Sequence, residues 1–171
     1  DRVFEGHPYA LNSGGTLSSL EKITAEDLRA FHKTLGKNAL VVSASGDITG
    51  PELKTLLDDV FSGLPDVSSS ESSDMALQNA GKIFLYEQDI PQTIIEITQG
   101  GIDRNDPDYQ SAQVMNFVLG SSGFGSRLTE EIREKRGLTY GIYTYFQNYD
   151  AVDTMNITTS TANENTSEML A

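Results

Sequence analysis

The sequence predicts an α+β fold, with helices layered on a mostly antiparallel sheet. Three observations predict it. Leu53, Leu56, Leu57, Val60 and Phe61 recur at the spacing of one helix face. Short β-branched runs lie at 39–44, 83–86 and 93–98, bounded by turn residues. An aromatic, β-branched stretch at 139–147 is followed by a loosely alternating one from Val152 to Ser160, and the two pair as an antiparallel hairpin.

The elements follow in order. Residues 1–22 are irregular, punctuated by Gly6, Pro8, Gly14 and Gly15. Thr24 caps a helix with Asp27 as its capping-box partner, and Leu28, Phe31 and Leu35 form the inner face up to about Gly36. Ala39 to Ala44 reads as a buried strand ended by Gly46 and Asp47. The helix of Leu53 to Phe61 starts after Pro51, which suits its first turn, and closes before Gly63 and Pro65. The run Ser68-Ser69-Ser70-Glu71-Ser72-Ser73-Asp74 is a flexible linker by composition. The chain thus divides into residues 1–65, a linker at 66–80 and residues 81–171. The last part opens with a strand from Ile83 to Tyr86, a turn at Asp89-Ile90-Pro91 and a strand from Thr93 to Thr98. Asp106 and Pro107 serve as N-cap and first residue of a helix whose inner stripe is Ala112, Met115 and Leu119. Asn163 to Ala171 begins a further helix.

Composition narrows the function. The 171 residues carry a formal net charge of −13, with 25 acidic against 12 basic side chains. Such a balance argues against nucleic acid, whose phosphates need basic patches, and against an anionic membrane surface. No apolar run approaches the roughly 20 residues needed to span a bilayer. Cysteine is absent, so disulfides and thiolate metal sites are excluded. The two histidines, His7 and His32, lie far apart in the chain, and each reads as a structural or exposed residue.

The densest stretch runs from Gly120 to Phe146. Glycines at 120, 123 and 125 suit positive φ and close backbone approach. A charged helix starts near Ser126, buries Leu128 and Ile132, and stops at Gly137. Arg133 and Lys135 lie in its last turn, and Glu130 and Glu131 pair with nearby cations. Tyr140, Ile142, Thr144 and Phe146 then share one strand face. The loop lacks the Gly-Lys-Ser/Thr ending of a nucleotide-binding loop. Gly123, Phe124 and Gly125 are candidates for a substrate-contacting loop, with Phe124 against peptide side chains.

This wording resembles the pitrilysin/insulinase family of zinc metallopeptidases, in its processing-peptidase-like branch. The carrying residues are the glycine loop, Ser126-Arg127-Leu128, and Arg133-Glu134-Lys135-Arg136-Gly137-Leu138-Thr139-Tyr140. The likeness extends to His7-Pro8-Tyr9, Gly15-Thr16, Ile23 to Leu28, Phe31-His32, the run from Asn38 to Asp47, Pro91-Gln92-Thr93 and Gly101-Ile102-Asp103. It implies that residues 1–65 are the back half of one family domain and residues 81–171 the front half of the next. It also implies that Arg133 and Tyr140 form a pair that holds the substrate backbone opposite a zinc site. The family's His-x-x-Glu-His motif is absent, so the resemblance implies zinc in the full assembly and none bound by this segment. The implied partners are a peptide substrate and a catalytic subunit or upstream domain, in a homo- or hetero-oligomer, and the implied location is a bacterial periplasm or envelope. The function so implied is part of a zinc-dependent endopeptidase, the segment alone being inactive. The alternative is a non-catalytic structural or scaffold subunit of the same family.

Overall fold

The computed structural model describes residues 2–67 and 74–171. The chain forms two compact units, Asn12–Ser72 and Asp1–Leu11 with Ser73–Ala171.

The unit Asn12–Ser72 is helical. Its elements are α1 (Leu17–Leu20), α2 (Ala25–His32) and α3 (Gly50–Phe61), with a 3₁₀ turn at Lys37–Ala39. Each helix opens on a threonine capping box. The Thr24 side chain accepts from the Asp27 N–H, while the Asp27 carboxylate accepts from the Thr24 N–H at 2.8 Å. Thr49 and Glu52 repeat the arrangement at α3, with the Thr49 N–H donating to the Glu52 carboxylate at 2.9 Å. Thr49, not recognised in the sequence, is therefore the true start of α3, with Pro51 in its first turn. These hydrogen bonds hold both carboxyls below their usual range.

The strand expected at Ala39–Ala44 is not one. Ala39 closes a 3₁₀ turn, and residues 40–45 pair with no strand among the described residues. Leu28, Phe31, Leu35, Leu56 and Val60 are accordingly exposed, although their spacing makes an inner face. The helices formed from local signals, while the surface that would cover them is not in this unit.

The other unit is built on a three-stranded antiparallel sheet, β1 (Gln92–Gly100), β2 (Ile142–Asn148) and β3 (Asp153–Ala162), in the order β1-β3-β2. The hairpin is in place, with Ile142 opposite Thr159 and Phe146 opposite Met155. Ile97 on β1 lies opposite Ile157, which itself lies opposite Thr144. This puts Ile142, Thr144, Phe146, Met155, Ile157 and Thr159 on one face. The stretch Ile83–Tyr86, read as a strand, pairs with none among the described residues, and Ile83 is exposed. The expected linker falls partly outside the described residues, which do not include 68–73. Its end is tied down: Met75 N–H donates to Ala151 O and Gln78 N–H to Val3 O, both at 2.9 Å.

Helix α4 (Tyr109–Asn116) continues through a π turn at Phe117–Ser121, closed by Ser122 N–H on Phe117 O at 3.3 Å. Asp106 is not its N-cap. Its carboxylate instead accepts the Asp108 N–H at 2.8 Å, forming a turn before the helix. The inner stripe is also rotated from the expected one. Asn116 and Gly120 are buried and Met115 is exposed. The reason is how closely this helix approaches β2: a Cβ on Gly120 would stand 2.6 Å from Thr144 Oγ1 and 3.0 Å from its backbone N. Only glycine admits that contact.

At the chain's start, a 3₁₀ turn at Arg2–Phe4 buries Phe4 against Tyr9 and Tyr149, with edge-on ring contacts of 6.0 and 5.5 Å. His7 caps the next turn, its Nδ1 accepting the Tyr9 N–H at 3.2 Å, while His32 is exposed on α2. At the far end, Asn163–Asn165 and α5 (Thr166–Leu170) form the short helix the sequence announced.

Two predictions follow from these contacts. Gly120→Ala will destabilise the sheet unit by about 1–3 kcal/mol through overpacking on Thr144, whereas Gly125→Ala, with no atom nearer than 3.9 Å, will stay within about 0.5 kcal/mol; urea unfolding distinguishes them. The capping carboxylates stabilise α2 and α3 when ionised. That contribution is full above the ordinary carboxylate pKa and is lost as pH falls below about 4, through the depressed folded values. In an NMR titration, Thr49→Ala will raise the Glu52 pKa back toward its ordinary value and leave Asp27 unchanged.

Candidate functional site

The site is made by three consecutive pieces of backbone: the glycine loop, a short helix, and the bend that enters β2. Gly123 has φ +66° and begins a 3₁₀ turn at Gly123–Gly125, closed by Ser126 N–H on Gly123 O at 3.1 Å. Of the three loop glycines, Gly123 alone uses positive φ, Gly120 serves close approach, and Gly125 does neither. Ser126 is fully buried. Its hydroxyl accepts the Thr129 N–H at 3.3 Å and donates to Thr129 Oγ1 at 2.9 Å, starting the helix where the sequence placed it.

That helix is wider than an α-helix over Thr129–Glu134, with Lys135 N–H on Glu130 O at 3.0 Å. It ends on a glycine cap one residue wider than that of an α-helix: Leu138 N–H donates to Ile132 O at 3.1 Å and Gly137 N–H to Arg133 O at 2.9 Å, with Gly137 at φ +65°. Lys135 bridges Glu130 at 3.2 Å and Glu131 at 2.6 Å. Hydrogen bonding from Lys135 lowers the Glu131 pKa, and hydrogen bonding from Glu131 and Glu130 raises that of Lys135.

Past Gly137 the chain is fastened to β3 by threonine hydroxyls. Thr161 donates to Leu138 O at 2.5 Å and Thr139 to Ser160 O at 2.7 Å. Thr139 Oγ1 accepts the Gly141 N–H at 3.1 Å, and Thr159 donates to Gly141 O at 2.9 Å. The strand proper therefore begins at Ile142, not at Thr139. Tyr140 does not share the buried face of Ile142 and Thr144. It stands on the bend, 84% exposed, between anchored neighbours. The threonine anchors were missed in the sequence; their signal was the density of threonine at 139, 159 and 161, where a strand face needs no hydroxyls.

The arrangement brings together the residues singled out in the sequence. The Arg133 Cζ lies 5.0 Å from the centroid of the Tyr140 ring and 4.5 Å from that of Phe124. Both are cation–π distances. The Arg133 side chain is 26% exposed, and its Nε lies 3.5 Å from the Glu134 carboxylate. Phe124 is 76% exposed. Among the described residues none hydrogen-bonds the Tyr140 hydroxyl or the guanidinium N–H groups. The site thus offers a phenol O–H and a planar fork of donors at the surface, both fit for carbonyl oxygens.

A metal centre does not fit the described residues. No three His, Cys, Asp or Glu side chains converge among them, and the Nδ1 of His7 is already engaged. No helix of the described residues is long and apolar enough to cross a membrane.

An antiparallel sheet covered by α4, with a glycine loop and short helix carrying an arginine to the end of a hairpin, is the architecture of a metallopeptidase-fold domain. The chain belongs to the M16 peptidase family: residues 22–171 match the model of the peptidase M16 inactive domain. The crystal structure of a peptidase M16 inactive domain from Pseudomonas fluorescens superposes with a TM-score of 0.88 at 34% identity, over 99% of this chain and 41% of that one. The non-peptidase homolog YmxG of Helicobacter pylori is 32% identical over 82% of this chain and 33% of its own length. An uncharacterized zinc protease of Streptomyces coelicolor is 30% identical over 77% of this chain and 30% of its own. The chain therefore spans about a third of the length of these curated relatives.

The anchoring of the bend separates two substitutions. Thr139→Val strands the Gly141 N–H and the Ser160 carbonyl and will cost about 1–3 kcal/mol in urea unfolding. Tyr140→Phe removes a hydroxyl with no partner in the fold and will leave the unfolding midpoint unchanged.

Proposed function

We propose that this chain is the substrate-holding part of a zinc-dependent endopeptidase that acts on peptides or unfolded chains. The observation that carries the reading is the convergence of Arg133 and Tyr140, from a helix end and a strand entrance, with the Tyr140 hydroxyl exposed and the guanidinium engaged only at Nε, by Glu134. In this role Arg133 donates to backbone carbonyls of an extended peptide. The Tyr140 hydroxyl donates to the carbonyl under attack, where a donor is most effective as charge develops on oxygen. Zinc, which supplies the hydrolytic chemistry, is held by another part of the assembly, an upstream domain or a catalytic subunit. Phe124, flanked by Gly123 and Gly125, borders the same surface. The exposed apolar faces of α2 and α3 suit burial within such an assembly.

A second reading has its own support. The Helicobacter pylori relative is called a non-peptidase homolog, and a scaffold subunit would keep the fold without catalysis. The full-length protein decides between the two. In the assembled enzyme, Tyr140→Phe will lower kcat about a hundredfold or more with thermal stability intact. Cleavage that is unaffected, or absent from the full-length protein with zinc present, selects the scaffold.

A further inference from the structure

We infer that Phe124 is a positioning residue: its ring holds the Arg133 guanidinium over Tyr140, so that loop, helix end and strand entrance act as one unit. The inference rests on the reading of Arg133 as a peptide-holding group and adds to it the means by which that group is kept in place. A long arginine side chain loses rotamer entropy when fixed, and something must offset that loss. The acidic neighbours do so poorly. Glu134 meets Arg133 only at Nε, at 3.5 Å, in an ion pair whose carboxylate is more than half exposed and therefore screened by solvent. Glu130 and Glu131 are both drawn to Lys135. That leaves the rings, and Phe124 at 4.5 Å is nearer than Tyr140 at 5.0 Å.

The loop geometry explains how an exposed phenylalanine stays there. Gly123 turns the chain at φ +66°, a conformation that side-chain-bearing residues rarely take. The turn closes on Ser126, whose fully buried hydroxyl is fixed by Thr129. Phe124 is therefore presented from a short, anchored turn. A cation–π contact takes up no hydrogen-bond acceptor site, and no hydrogen bond from the described residues fills the terminal guanidinium N–H groups, so they stay available to acceptors. Tyr140 holds the same cation from an equally anchored bend. Without Phe124, Arg133 regains its other rotamers, and among them pairing with the surrounding carboxylates.

Positioning and direct peptide contact make opposite predictions for the full-length assembled protein. With ¹⁵N-arginine labelling, the Arg133 Nε–Hε resonance will carry a ring-current shift that Phe124→Leu reduces to the Tyr140 contribution and Phe124→Tyr retains. A resonance unmoved by Phe124→Leu overturns the inference. In peptide cleavage, Phe124→Leu will raise KM about threefold, a change of cation–π size, with kcat nearly unchanged, and Phe124→Tyr will restore it. In an Arg133→Ala background the same substitution will have no further effect; an additive loss there overturns the inference in favour of direct contact. If Arg133→Ala alone leaves cleavage unchanged, the peptide-holding reading fails, while the NMR comparison still judges whether Phe124 orders the arginine.

Discussion

The site depends on one short crossing, from the end of the helix at Gly137 to the start of β2 at Ile142. Three backbone groups there, Leu138 O, Gly141 N–H and Gly141 O, are bound by threonine hydroxyls, and the Thr139 hydroxyl that takes the Gly141 N–H also donates to Ser160 O on β3. At the helix side, Gly137 and Leu138 satisfy the last carbonyls of the turn that carries Arg133. A buried backbone group left without a partner costs more than a hydrogen bond gains. The crossing is thus held by the need to satisfy its own polar groups, and Tyr140 is pushed outward as a consequence. The geometry of the Arg133–Tyr140 pair is set by backbone satisfaction, and the cation–π contacts refine it.

The same economy appears behind the pair. Gly120 lets the helix that leads into the loop lie against Thr144, itself 1% exposed. The threonines of the inner face, at 144, 159 and 161, are buried and hydrogen-bonded to backbone carbonyls. This part of the sheet is therefore a polar-lined support, well suited to fixing positions. The helical unit lacks any comparable support. Its capping boxes define where α2 and α3 start, yet the stripe of α2 is exposed and that of α3 only half-buried, with no fully buried side chain on either helix.

Much of this was legible beforehand. The 3.6-residue spacing of Leu53 to Phe61 gave α3, because burying an apolar stripe needs that period. Thr24 and Asp27 gave the start of α2, because the orphan N–H groups of a first turn need an acceptor. The hairpin of β2 and β3 followed from β-branched, aromatic alternation. Gly137 announced the helix stop because positive φ suits glycine. The pairing of Arg133 with Tyr140 was legible only through family resemblance, since seven residues of separation across a helix end do not by themselves imply contact. Residues 40–45 and 83–86 misled for one reason: a β-branched run states a preference, and a strand exists only if a second strand pairs with it.

The sequence by itself determined that α2 and α3 exist, the hairpin, the stop at Gly137 and the family to which the chain belongs, because each is written in residues close together in the chain. The tertiary structure decided which glycine serves packing and which serves a turn, that Asn116 and not Met115 faces the sheet, and that Phe124 lies against Arg133. Those outcomes depend on distances between segments far apart in the chain. Such distances are set by close packing and by the satisfaction of buried hydrogen bonds, which no local pattern encodes.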